Sequence, residues 1–160
     1  MQLDPTQLGV RDFYLHMVRL ITPRPIAWVS TISNDGVTNL APYSFFNGVG
    51  ANPPSVVFCP VNRRDGSKKD TLLNIEQNGE FVVNIVSFQL AETMNQTSAE
   101  YGRDLSEFQA CGLTELPSER VKAPRLAESA AQFECTLLQA IQLGTGPAGS
   151  NVVIGRIELL

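Results

Sequence analysis

Ile26-Ala27-Trp28-Val29-Ser30-Thr31-Ile32, then Asn34-Asp35-Gly36, then Val37-Thr38-Asn39-Leu40-Ala41-Pro42-Tyr43-Ser44-Phe45-Phe46: this stretch decides the fold. The first run is rich in β-branched and aromatic residues and reads as a buried strand. Asn-Asp-Gly supplies residues that tolerate positive φ, so a hairpin turn follows and Val37 to Phe46 returns antiparallel. Further on, Asn52-Pro53-Pro54 marks a turn, because the first proline restricts Asn52 and the second cannot donate to a ladder. Ser55 to Val61 then reads as a third strand.

The period changes after Ser67. Leu72, Leu73 and Ile75 lie within Asp70 to Gln77, ahead of the stop signal Asn78-Gly79, which predicts a helix of about two turns. Glu80 to Val86 is a nearly continuous apolar strand. Leu90, Ala91 and Met94 suggest a short helix, and Leu105 to Phe108 another beyond Gly102. Ala131 to Leu143 and Asn151 to Leu160 are strands joined by Gly144 to Ser150. Strands at hairpin spacing with single inserted helices predict a mainly β protein, an antiparallel barrel closed or partly closed. The final apolar strand leaves an edge that a partner subunit or further sequence would cover.

With 160 residues and 43% hydrophobic content, the chain suits one domain over residues 1–160. A formal net charge of −4 gives no global footprint for nucleic acid or an anionic membrane. Met1 to Arg11 lacks the apolar run of a signal peptide, and no stretch is long enough to span a bilayer. Cys59, Cys111 and Cys135 are odd in number and far apart, which argues against disulfides and zinc and for a reduced, cytoplasmic protein. The single His16 excludes a multi-histidine metal site and has no nucleophile motif beside it; it reads as structural or superficial.

Against this acidic background Arg63, Arg64, Ser67, Lys68 and Lys69 precede a helix start at Asp70 or Thr71. A helix N-terminus carries unpaired N–H groups and partial positive charge, so the loop is a candidate monophosphate cradle. The same residues also suit a solvated turn with Asp70 or Thr71 as an ordinary cap. Tyr43-Ser44-Phe45-Phe46-Asn47 offers aromatics that could flank a planar ring or fill a core, with Ser44 and Asn47 as donors. Gly144 to Ser150 lacks a P-loop ending and lies between strands, so it reads as a connection. No Gly-x-Gly-x-x-Gly opens a βαβ unit. Cys59, at a strand end near the basic loop, reads as a buried thiol more readily than as a thiolate.

Taken in order, these motifs resemble the flavin reductase-like, FMN-binding split-barrel family. The match runs from Pro23-Arg24-Pro25-Ile26-Ala27 through Asn39 to Asn47, Asn52-Pro53-Pro54, Arg64 to Thr71, Asn74-Ile75 and Gly79 to Asn84, then Met94 to Ser98 and Glu107-Phe108. The resemblance implies a small barrel that dimerises and binds FMN non-covalently near the subunit interface. It places the phosphate on Ser44, Lys69 and Thr71, with Arg64 and Asp70 in the same loop, and the ring along Ser30-Thr31-Ile32 and Phe45-Phe46-Asn47. Members commonly continue past the strand that here closes at Leu160. Flavin supplies its own hydride acceptor, in keeping with a chain that offers no triad, carboxylate pair or metal cluster. Two functions follow from it. One is an NAD(P)H-dependent reductase that passes electrons to free flavin, oxygen or an oxygenase; the other is an FMN electron carrier or redox sensor exchanging electrons with another protein.

Overall fold

The opening hairpin forms where its residues require it. In the computed structural model, which describes residues 2–160, strand β1 (Ala27–Ile32) pairs antiparallel with β2 (Thr38–Tyr43). Gly36 stands at the turn with φ +84°, a conformation glycine adopts at no steric cost. Further strands are β3 (Phe46–Ala51), β4 (Pro54–Phe58), β5 (Glu80–Ile85), the short pair β6 (Glu115–Leu116) and β7 (Arg125–Leu126), β8 (Gln132–Gln142) and β9 (Asn151–Leu159). The helices are α1 (Val10–Leu20), α2 (Asp70–Asn78), α3 (Ala91–Gln96), entered through a 3-10 turn at Phe88–Leu90, and α4 (Glu107–Ala110). None of these is long and apolar enough to cross a membrane.

Seven strands form one antiparallel sheet in the order β2-β1-β5-β8-β9-β4-β3. Its two edges, β2 and β3, are consecutive in the chain and joined only by Ser44 and Phe45. Six strand spacings of about 4.8 Å would hold the edges of a flat sheet about 29 Å apart, whereas three Cα steps from Tyr43 to Phe46 reach about 11 Å at most. The sheet must therefore curl until its edges meet at that corner. Because β2 and β3 share no ladder, the barrel is closed by the chain and split along the seam.

Three expectations are corrected here. Val37 to Phe46 is not one strand: β2 ends at Tyr43, and β3 leaves for the opposite edge, its glycines Gly48 and Gly50 flanking a bulge. The third strand stops at Phe58, and Val61 makes only an isolated bridge to Ser150. α2 begins at Asp70 with Lys69 in the cap position, and no side chain caps it, so neither Asp70 nor Thr71 serves as the N-cap. α1 was not anticipated in the sequence.

Strand alternation sorts the core into two faces. Inside lie Ala27, Val29, Tyr43, Val56, Phe58, Phe81, Val83, Cys135 and Val153, plugged by Leu72 and Ile75 of α2. Outside, the segment between β5 and β8 folds back over Trp28, Leu40, Phe108 and Leu126, and over Val82 with Val121 and Ala123. Polar anchors fix that cover. Asn84 donates to the Trp28 carbonyl and accepts from Leu126 N–H at 2.8 Å, and the buried Glu134 carboxylate accepts from the Glu119 and Arg120 amides.

Candidate cofactor cleft

Where the cover meets the edge strand β2 it leaves a shallow, open cleft of about 60 Å³. Asn39 and Ala41 to Tyr43 of β2, Arg63, Lys69 to Thr71, Thr97 to Tyr101 and Glu107 line it. Trp28 Nε1 donates to Thr97 Oγ1 at 2.8 Å, which pins the 97–101 wall to the sheet. Behind the basic loop, Gly66 packs against the Gly146 backbone, and Asn62 donates to the Gly146 carbonyl. The Gly144–Ser150 connection thus props up the basic loop.

Charges in this loop are unevenly engaged. Arg63 is paired with Asp70, which Arg103 also approaches at 3.5 Å. Lys68 holds both carboxylate oxygens of Glu76 at 2.7 Å. Lys69 has no carboxylate partner among the described residues; its ammonium lies 6.0 Å above the Tyr43 ring, half-buried, and burial pulls its pKa below the ordinary lysine value. Directly after it, α2 starts without a side-chain cap, leaving the amides of its first turn without intrahelical partners. An unpaired cation beside unpaired N–H groups favours an anion carrying several acceptor oxygens.

Behind this point the polar side chains are tied together. Asn39 Nδ2 donates to Thr71 Oγ1 at 2.9 Å, and Asn74 Nδ2 to Thr31 Oγ1 at 3.0 Å. The Tyr43 hydroxyl lies beside Thr71 but is buried without a hydrogen-bond partner, and burial raises its pKa. Glu107 accepts from the Leu40 amide at 2.8 Å, satisfying an N–H of the edge strand, and burial raises its pKa too.

The expected contact residues separate into groups. Lys69, Asp70 and Thr71 meet in the cleft. Ser30 and Thr31 are fully buried on opposite faces of β1; Ser30 donates to the Pro124 carbonyl and Thr31 is held by Asn74. Ile32 is half-buried, its carbonyl accepting from Asn78. Ser44 and Phe45 form the seam corner, Phe46 packs on the inner core, and Asn47 is exposed, bonded to its neighbour's amide. Arg64 is exposed. Cys59 is half-exposed, with a pKa raised by burial. Tyr43 reads in the sequence as flanking a ring or filling a core, and Thr97, Ser98 and Glu107 enter only as part of the family resemblance with no role assigned; Ala99 to Tyr101 carry no motif.

Residues 17–159 match the model of the flavin reductase like domain. The chain belongs to this family. An uncharacterized protein of Aquifex aeolicus is 45% identical over 128 residues, covering 80% of this chain and 65% of that protein. This chain thus spans just under two thirds of that relative's length. Among solved structures, nitrilotriacetate monooxygenase component B from Bacillus cereus superposes with a TM-score of 0.93 at 35% identity, over 99% of this chain and 79% of that one. The 2-nitrobenzoate 2-nitroreductase NbaA of Pseudomonas fluorescens gives 0.87 at 31%, over 99% and 75%. These flavin reductase-like neighbours share the split barrel derived above from strand order and corner length.

Proposed function

We propose that residues 1–160 form one FMN-binding oxidoreductase domain that is reduced by NADH or NADPH, works as a homodimer and passes electrons to free flavin, oxygen or an oxygenase. The observation that carries this reading is the uncommitted Lys69 beside the uncapped start of α2. That pair suits a single phosphate, and the chain has no second nucleotide fingerprint, which favours FMN over a dinucleotide flavin. Membership of the flavin reductase-like family supplies the flavin. The likeness to a monooxygenase component B makes an oxygenase a fitting acceptor.

Within the cleft, Lys69 would neutralise the phosphate while the first-turn amides of α2 donate to its oxygens. Thr71 Oγ1, already accepting from Asn39, keeps its own proton to donate. Ser44 offers a further hydroxyl at the corner. A bound flavin supplies the hydride acceptor and electron store. Among the described residues no three His, Cys, Asp or Glu side chains converge, and His16 and Cys59 each stand without a catalytic partner. The protein's task is then binding and orientation. His16→Ala and Cys59→Ser should both retain FMN and change the reduction rate by less than about tenfold, roughly 1.4 kcal/mol of barrier.

The deciding experiment is anaerobic addition of NADH, then NADPH, to the flavin-loaded protein while its oxidised absorption band is followed. Bleaching within seconds by one of them is expected. Persistence of the band with both would replace hydride transfer by electron carriage between proteins.

A further inference from the structure

The feature left without a role is α1. Its apolar residues Val10, Phe13, Tyr14, Met17 and Val18, continued by Ile21, recur at helical spacing and form one stripe. A helix of this length depends on tertiary cover of such a stripe. Yet none of its residues is buried, Val10 and Ile21 being 73% and 50% exposed, and it shares no extended packing with any strand or other helix.

What holds α1 converges on one side chain. Tyr14 meets the Phe45 ring edge-on at 6.2 Å and 74°. The Arg24 guanidinium lies 5.8 Å over the same ring, while its Nη1 donates to the carbonyls of Val18 at 2.6 Å and Ile21 at 2.8 Å. Those carbonyls belong to the C-terminal end of α1, which has no other side-chain donor. Among the described residues Arg24 Nε is buried without an acceptor, an unfavourable arrangement that a ligand carbonyl would relieve. Phe45 is one of the two residues of the seam corner, next to the cleft wall at Tyr43.

We propose that α1 is a strap that closes over the planar ring of the bound flavin, with Arg24 as its latch on Phe45. This rests on the flavin reading of the cleft. A ring seated at the corner would cover the apolar stripe and offer carbonyl oxygens to Arg24 Nε. Without it, α1 is held by the Tyr14–Phe45 contact and the two Arg24 hydrogen bonds, with Phe13, Met17 and Val18 only half-buried.

Amide hydrogen exchange on the full chain tests this. In flavin-free protein, amides of residues 14–20 should exchange at least about tenfold faster than those of β5. Saturating FMN should slow them by about tenfold or more and leave β5 unchanged. Riboflavin should slow them as well, since the strap covers the ring and not the phosphate. In Arg24→Ala, or in Tyr14→Ala should the first variant fold poorly, the slowing on FMN should be lost while β5 protection stays. FMN that binds, seen by quenching of its fluorescence, without altering α1 exchange overturns the strap alone. Protection of α1 that follows protein concentration and not flavin overturns it in favour of a second copy covering the stripe. If no flavin binds, strap and proposed function fall together.

Discussion

Two neighbouring lysines do different work, and substitution separates them. Lys68 is held by Glu76 on the surface, a pair worth about 0–1 kcal/mol. Lys69 is uncommitted, so its charge remains available for a phosphate. Lys69→Ala should weaken FMN binding by roughly 10- to 150-fold, the worth of a charge-assisted hydrogen bond at about 1.5–3 kcal/mol, and Lys68→Ala by less than about fivefold. Equal small losses in fluorescence titrations would make the loop a solvated turn. Burial lowers the Lys69 pKa, so FMN affinity should fall as pH rises through that lowered value while riboflavin affinity stays level. Glu107 shows the opposite sign. Burial raises its pKa above 4.5, so its contribution to stability is fully present below that ordinary value and lost as pH rises through the raised one. Glu107→Gln keeps an acceptor for the Leu40 amide without the charge. Melting curves should coincide near pH 4 and favour the variant at pH 7.5; a parent more stable at both would show the carboxylate to be favourably paired.

Between elements, packing at the barrel centre is set by one close approach. A Cβ added at Gly155 of β9 would stand 2.2 Å from Cζ of Phe81 on β5, and both backbones are fixed by ladders to β8. Gly155→Ala should therefore destabilise by about 1–3 kcal/mol, as overpacked cores do. Phe81→Leu added to it should recover part of the loss, measurable as urea midpoints of the single and double variants. Element by element, β1, β5, β9 and α2 were legible because an apolar run or a capped period announces them. β3 was not: Asn47, Gly48 and Gly50 have poor β propensity, and the strand exists because β4 offers a ladder and the seam forces a turn. α1 has a clean helical period, yet its N-terminal residues were weighed only as a targeting segment. At the cleft, Lys69 and Thr71 were legible as a basic helix start. The burial of Ser30 and Thr31 was not, since alternation says that they face opposite sides and not that both sides are covered.

For the molecule as a whole, exposed apolar side chains on β3 and the β8–β9 end, among them Val49, Leu138 and Leu143, are surface that a second subunit would cover. We expect a homodimer burying about 1,200 Å² or more in total. Sedimentation at micromolar concentration checks this, a stable flavin-loaded monomer being the contrary result. Barrel architecture could be anticipated from strand count and hairpin spacing. Its closure could not, because that depends on β2 and β3 being opposite edges of the sheet, a property of pairing order that no local pattern encodes.

The place of β9 in that order governs how the protein is made. β9 lies between β8 and β4 and pairs Ser55 with Arg156, about 100 residues apart in the chain. On a ribosome adding roughly 5–20 residues per second, the β3–β4 hairpin must wait about 5–20 s for the strand that attaches it to the rest of the sheet. During that interval one side of β4, with Val56 and Phe58, has no ladder partner. The nascent chain is then most exposed to edge-to-edge aggregation or to capture by a chaperone, and ribosome-stalled chains ending before Asn151 should be protease-sensitive across residues 46–58 while longer ones are not.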